Sequence, residues 1–151
     1  MRLQKSIEIA APPEKVWPFL VESKEIIRWF TLLRKFEFTG SKQSGPGATF
    51  YYEEKSGPWV MKLSYVVTEW VEPKRLVFVL TSGPLKKDDQ VWNLEAIPSG
   101  VRFIMVEDFE IASGAVGRIL DHLLSGITGR RIEKILLNLK RLVEAQVSWE
   151  Y

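Results

Sequence analysis

Few residues in this chain of 151 are equipped for chemistry. Cysteine is absent and histidine occurs once, as His122. Those counts exclude thiolate catalysis, disulfide frameworks, Cys-ligated zinc and iron–sulfur clusters, and they make a histidine metal site improbable. The expectation is therefore no cofactor and no metal. Glu107 is the sharpest single residue. Alternation along 101–111 puts it with Val101, Phe103, Met105 and Phe109, opposite Arg102, Asp108 and Glu110. On such an aromatic face desolvation raises a carboxyl pKa and readies the group for proton transfer. Tyr65 is a hydroxyl partner for that proton. The competing reading leaves Glu107 near a strand end, solvated or paired with a base. Glu107 and Asp108 are not a carboxylate pair in themselves, because strand neighbours point to opposite faces.

The remaining candidates carry less. His122 lies off the centre of its helix's apolar stripe and beside Asp121, which favours an exposed or rim position. Arg130, Arg131 and Lys134 would suit an anionic head group or a membrane surface, against the simpler reading of a solvated helix face. Gly45-Pro46-Gly47 lacks the Lys-Ser/Thr ending and following helix of a phosphate loop, and reads as a turn. Ser82, Ser113 and Ser125 have no histidine partner in pattern, so a serine triad is unsupported.

The elements that must position these residues are legible in the periodicity. From about Ala115 to Gln146 the chain reads as one helix, with Val116, Ile119, Leu120, Leu123, Leu124 and Ile127, then Ile132, Ile135, Leu136, Leu139, Leu142 and Val143 apolar. Thirty residues at 1.5 Å each span roughly 45 Å. The stripes of its two halves are offset by roughly a third of a turn. The offset falls at Ser125-Gly126-Ile127-Thr128-Gly129, where two glycines weaken the helix. A bend there, with the halves facing different surroundings, is expected.

Ahead of that helix, residues 2–10 alternate as a first strand, and Ala11-Pro12-Pro13-Glu14 ends it. A short helix carries Val16, Trp17, Phe19 and Leu20, with Pro18 expected to kink it. Ser23 is expected to cap a second, Lys24 to Phe30. Turn clusters then separate six β-rich runs, at 34–40, 48–55, 59–71, 75–81, 90–97 and 101–111, with the polar run Lys86 to Asp89 read as part of a turn. Short connections make neighbours antiparallel. The presumed inner face is rich in Phe, Tyr, Trp and Met, in a chain with six Trp, eight Phe and four Tyr. Net charge is only +2 with both signs mixed, so no nucleic-acid footprint appears. Met1 to Ser6 lacks the apolar run of a signal peptide and no stretch has the apolar length of a membrane span, giving the expectation of a cytoplasmic protein. Length predicts a single domain, 1–151.

This order of strand, two short helices, six strands and a long terminal helix resembles the helix-grip fold of the START-like (SRPBCC) superfamily. Local features resemble its polyketide cyclase/dehydrase and lipid-transport branch: Ala11-Pro12-Pro13-Glu14-Lys15-Val16-Trp17, Trp29 closing the second helix, and Glu69 followed by Pro73, Arg75 and Leu76. Gly100-Val101-Arg102 and the ending Leu139-Lys140-Arg141-Leu142-Val143-Glu144 complete the set. The resemblance covers the whole chain. It implies an α+β fold in which a curved seven-stranded antiparallel sheet wraps the terminal helix and encloses an apolar cavity. It carries over no catalytic residues, because that family has no invariant catalytic signature.

Pattern alone favours a filled aromatic core; the resemblance favours a cavity. Its candidate walls are Trp29, Phe30, Phe50, Tyr52, Met61, Leu63, Tyr65, Trp92, Phe103 and Met105, with Leu120, Leu123 and Ile127 from the helix. The expected partner is a small hydrophobic molecule, lipid-, polyketide- or aromatic-like, oriented by Tyr65 or Glu107. The glycine bend would let the helix's first half act as a gate. The rival is a cyclase- or dehydratase-like enzyme using acid–base chemistry in the same cavity. A protein-interaction module of the chaperone-activator type is the third reading, and the long helix argues against it. Monomer and dimer are equally compatible with the sequence.

Overall fold

Strand pairing follows from the alternation and the short turns. In the computed structural model, which describes residues 1–111 and 114–150 (side chains other than those of 116, 120–125 and 150), seven strands form one antiparallel sheet. They are β1 (Arg2–Ile9), β2 (Leu33–Thr39), β3 (Thr49–Ser56), β4 (Trp59–Val71), β5 (Arg75–Ser82), β6 (Lys87–Ile97) and β7 (Gly100–Glu110). Between β1 and β2 lie α1 (Pro13–Val21) and α2 (Ser23–Trp29), and α3 (Gly114–Glu150) ends the chain. The order across the sheet is β1-β7-β6-β5-β4-β3-β2: a six-stranded meander with β1 added beside β7. This is the expected α+β helix-grip arrangement.

Strands β4 to β7 bury alternate residues over part of their length. In β6 these are Asp88, Gln90, Trp92 and Leu94; in β7 they are Val101, Phe103, Met105 and Phe109. Register shifts in the β4–β5 pair, at Ser64/Tyr65 and Val67/Glu69, mark irregularities that locally bend and twist a strand. Beyond them Trp70 meets Trp17 of α1 edge to face at 5.8 Å.

The second half of α3 buries Ile132, Ile135, Leu136, Leu139 and Val143, the stripe its spacing predicts. It lies mainly along β1 and also touches α1, α2 and β7. Fully burying each such side chain contributes roughly 1.5–3 kcal/mol. The first half behaves differently, with Ile119 60% and Ile127 55% exposed.

Several sequence expectations change here. The helix is continuous from Gly114 to Glu150, the one long helix that the periodicity predicts, and runs through both glycines. Gly129 answers to close packing: a Cβ there would stand 3.2 Å from Cε of Lys5 on β1. α1 holds Pro18 inside it, and the Pro18 carbonyl accepts the Glu22 N–H at 3.0 Å. Glu22, not Ser23, occupies the cap position of α2, and it makes no side-chain cap bond. β6 starts at Lys87, because residues read as turn are paired with β7 from Lys87↔Glu110 onward. No described helix is long and apolar enough to cross a membrane.

Candidate functional site

A cavity of about 260 Å³ opens between the sheet and the middle of α3. Phe30 and Leu32 wall it from the segment after α2; Met61, Leu63, Met105 and Phe109 wall it from the sheet; Ile127, Thr128, Arg131 and Ile132 wall it from α3. Its polar side is built from alternation on three strands. Glu54 continues the inward series Phe50, Tyr52 on β3; Asp88 and Gln90 precede Trp92 on β6; Glu107 follows Met105 on β7. The ladder sets Gln90 directly opposite Glu107, and Asp88 opposite Phe109, one pleat away.

A hydrogen-bonded chain connects these groups. The Tyr65 hydroxyl donates a short hydrogen bond to Oδ2 of Asp88 and lies 2.8 Å from the Tyr52 hydroxyl. Gln90 Nε2 donates to the same Oδ2 at 3.2 Å, while Gln90 Oε1 accepts from Trp92 Nε1 at 3.1 Å. Tyr65 reaches Asp88 across β5 because β5–β6 pairing stops at Val79↔Asp89, leaving the end of β5 unpaired with β6. Asp88 Oδ1 is buried and lacks a hydrogen-bond partner of ordinary geometry. The Glu107 carboxyl is the neighbour with which a shared proton would satisfy it.

The electrostatics follow from burial. Desolvation raises Glu107 well above the usual carboxylate range, and nearby Asp88 and Glu54 add to the rise. Desolvation also raises Asp88, but hydrogen bonds from Tyr65 and Gln90, and the Glu107 neighbour, oppose it. Between the two, the proton belongs on Glu107 and the charge on Asp88. Glu54 is pushed up to about 7 by desolvation, against the attraction of Arg131. Burial holds the Tyr52 and Tyr65 hydroxyls well above the phenol value, hence protonated. Glu54 and Glu107 are half-buried and line the cavity. Among the described residues, no group of His, Cys, Asp or Glu side chains is placed to hold a metal ion.

The residues singled out from the sequence are placed differently. Phe30, Tyr52, Met61, Leu63, Met105 and Ile127 line the cavity, as does Glu107. Phe50 and Trp92 line a second void, of only about 20 Å³, together with Phe30 and Tyr52. That is room for about one water. Trp29 and Phe103 sit in the packed core, Trp29 donating from Nε1 to the Phe19 carbonyl at 2.8 Å. Tyr65 lines neither space and acts through its hydrogen bonds. The side chains of Leu120, Leu123 and His122 lie outside the described residues. The basic cluster splits: Arg130 and Lys134 are exposed, whereas Arg131 enters the cavity wall and donates to the Lys55 carbonyl at 2.6 Å.

Sequence reasoning missed Glu54, Asp88 and Gln90. Extending the alternation two residues past Tyr52 and four before Trp92 finds them, but reading Lys86 to Asp89 as turn hid Asp88.

Residues 1–144 match the family model described as polyketide cyclase / dehydrase and lipid transport. Among solved structures, TTHA0849 from Thermus thermophilus superposes with a TM-score of 0.83 at 17% identity, covering 97% of this chain and 99% of that one. The Zhui aromatase/cyclase from a Streptomyces species gives 0.81 at 13% identity, covering 97% and 95%. A START superfamily protein from Mycobacterium smegmatis gives 0.76 at 15%, covering 96% and 98%. At these identities the likeness is one of fold. No curated protein matches the sequence significantly.

Proposed function

The chain belongs to the polyketide cyclase / dehydrase and lipid transport family, and from that premise we propose that it binds a small, largely apolar molecule between the sheet and α3. The observation that carries this reading is the 260 Å³ cavity, apolar over most of its wall and polar along one side. Apolar contact supplies affinity at roughly 25 cal/mol per Å². The Asp88–Glu107–Glu54 side supplies orientation, as the few convergent polar groups of a ligand site do. Small-molecule pockets run from about 300 to 1,000 Å³, so this space suits a one- or two-ring compound or a short chain. A neighbour named an aromatase/cyclase is in keeping with a ligand of that kind.

One observation favours a second reading, acid–base catalysis on the bound molecule. Glu107 and Asp88 stand side by side with opposite preferences for the proton, an acid beside a base.

Native mass spectrometry of freshly purified protein, with extraction and identification of whatever is released, tests the binding reading. A discrete adduct lost on denaturation supports it. A clean mass, together with no measurable binding of one- and two-ring aromatic probes, sinks it. Binding without turnover by the wild type marks a carrier; if a substrate is turned over, Glu107→Gln should abolish turnover and keep binding, and turnover kept would remove Glu107 from the chemistry.

A further inference from the structure

The hydrogen bonds around Asp88 have a direction. Tyr65 gives its proton to Asp88 Oδ2, so in the Tyr52–Tyr65 contact Tyr52 is the donor. Gln90 also donates to Oδ2, and its own oxygen is taken by Trp92. The Tyr65 and Gln90 donors therefore end on one carboxylate oxygen. Asp88 Oδ1, in a residue only 2% accessible, has the Glu107 carboxyl to share a proton with; the acceptors left for a ligand are carboxyl oxygens of Glu107 and Glu54 along the cavity. A cavity with spare acceptors calls for a ligand with N–H or O–H groups to give.

Charge narrows the choice. The titratable and charged groups facing this space among the described residues are Tyr52 and Glu54 from β3, Asp88 from β6, Glu107 from β7 and Arg131 from α3. Tyr65 from β4 stands behind them, and Asp89, the neighbour of Asp88 in the chain, also bears on it. Three carboxyls thus face one guanidinium, which is already engaged by the Lys55 carbonyl. The empty protein relieves the surplus by holding protons on Glu107 and Glu54. A bound cation would relieve it by charge.

We propose that the molecule taken here is a hydrophobic amine, a one- or two-ring compound whose protonated nitrogen sits against Asp88 and Glu107. This rests on the reading of the cavity as a ligand site. The ammonium pairs with the acidic side of the cavity and replaces the protons that Glu107 and Glu54 otherwise hold. Phe30, Tyr52 and Phe109 in the same wall offer ring faces, which attract cations. A carboxylate ligand would instead add a fourth acid to the cluster.

The test is a matched series on the wild-type chain at pH 6.5: 1-naphthylmethylamine, 1-naphthylmethanol and 1-naphthoate, measured by calorimetry in two buffers of different ionisation enthalpy. The amine is expected to bind roughly tenfold or more tighter than the alcohol, with the acid weakest. Amine binding should release protons to the buffer, and alcohol binding should release none. Asp88→Asn should shrink the amine's advantage over the alcohol to roughly threefold or less. An alcohol as tight as the amine, or an amine binding without proton release, overturns the amine proposal while the cavity keeps its ligand. Naphthoate binding best overturns it in favour of Arg131. If none of the three binds, the ligand-site reading fails and takes the proposal with it. Should Asp88→Asn fail to fold, proton release by the wild type decides.

Discussion

Under α1, α2 and the second half of α3 the inner face of the sheet is filled; under the middle of α3 the same face is hollow. In the filled region Trp29, Phe78, Trp92 and Phe103 stack edge to face or tilted, with centroids 5.2–6.2 Å apart. In the hollow region Glu54, Asp88 and Glu107 share a 260 Å³ space with Met61 and Met105. Alternation along the same strands supplies both sets: Trp92 and Asp88 lie four residues apart on β6, and Phe103 and Glu107 four apart on β7. Position in a strand therefore decides which way a side chain faces, and side-chain chemistry decides whether the space closes. Rings gain by dense contact. Carboxyls lose hydration when buried and repel one another once ionised, so a cluster of them leaves room. The hollow region is thus maintained at a cost in stability, as functional sites commonly are.

The contrast makes predictions that would break it if they failed. Leu139, fully buried on the filled side, should cost about 2–5 kcal/mol on truncation to alanine, read by denaturant unfolding. The acid cluster should impose a pH dependence of the opposite sign to a stabilising carboxylate. Glu54 titrates near 7 when folded against 4.5 when unfolded, so between those values the folded state binds more protons. Unfolding free energy should then fall as pH rises through that window, by on the order of 3 kcal/mol from Glu54 alone. Glu54→Gln should flatten the loss. Equal stability of the wild type at pH 5 and pH 8 would show the cluster to be better solvated than its burial implies. Smallest of the three, Met61→Ala in the cavity wall should cost about 1 kcal/mol or less, because it enlarges an existing space rather than opening a new one. A Met61 penalty equal to that of Leu139 would erase the distinction between the two regions.

Much of this was readable beforehand. β4 occupies the span its pattern predicts, and Glu107 faces inward among Phe103, Met105 and Phe109 as alternation requires. Errors arose where a residue type has two explanations. Gly129 reads as a weak point of the helix by propensity, yet the helix runs through it with Lys5 of β1 close against it. Asp88 reads as turn because polar residues surround it, yet pairing with β7 extends the strand through it. Trp29 and Phe103, counted with the cavity wall by type, belong to the filled region. In each case a local signal was overruled by a neighbour distant in sequence.

Element order, strand faces and the buried stripe of the terminal helix were determined by the sequence itself, because periodicity and turn chemistry act between residues a few positions apart. Which inward residues meet was decided only in three dimensions. Ladder register sets Glu107 across from Gln90, and the early end of β5–β6 pairing lets Tyr65 reach Asp88. The cavity is likewise a property of the assembled sheet and helix, because empty volume is what remains after every side chain has been placed.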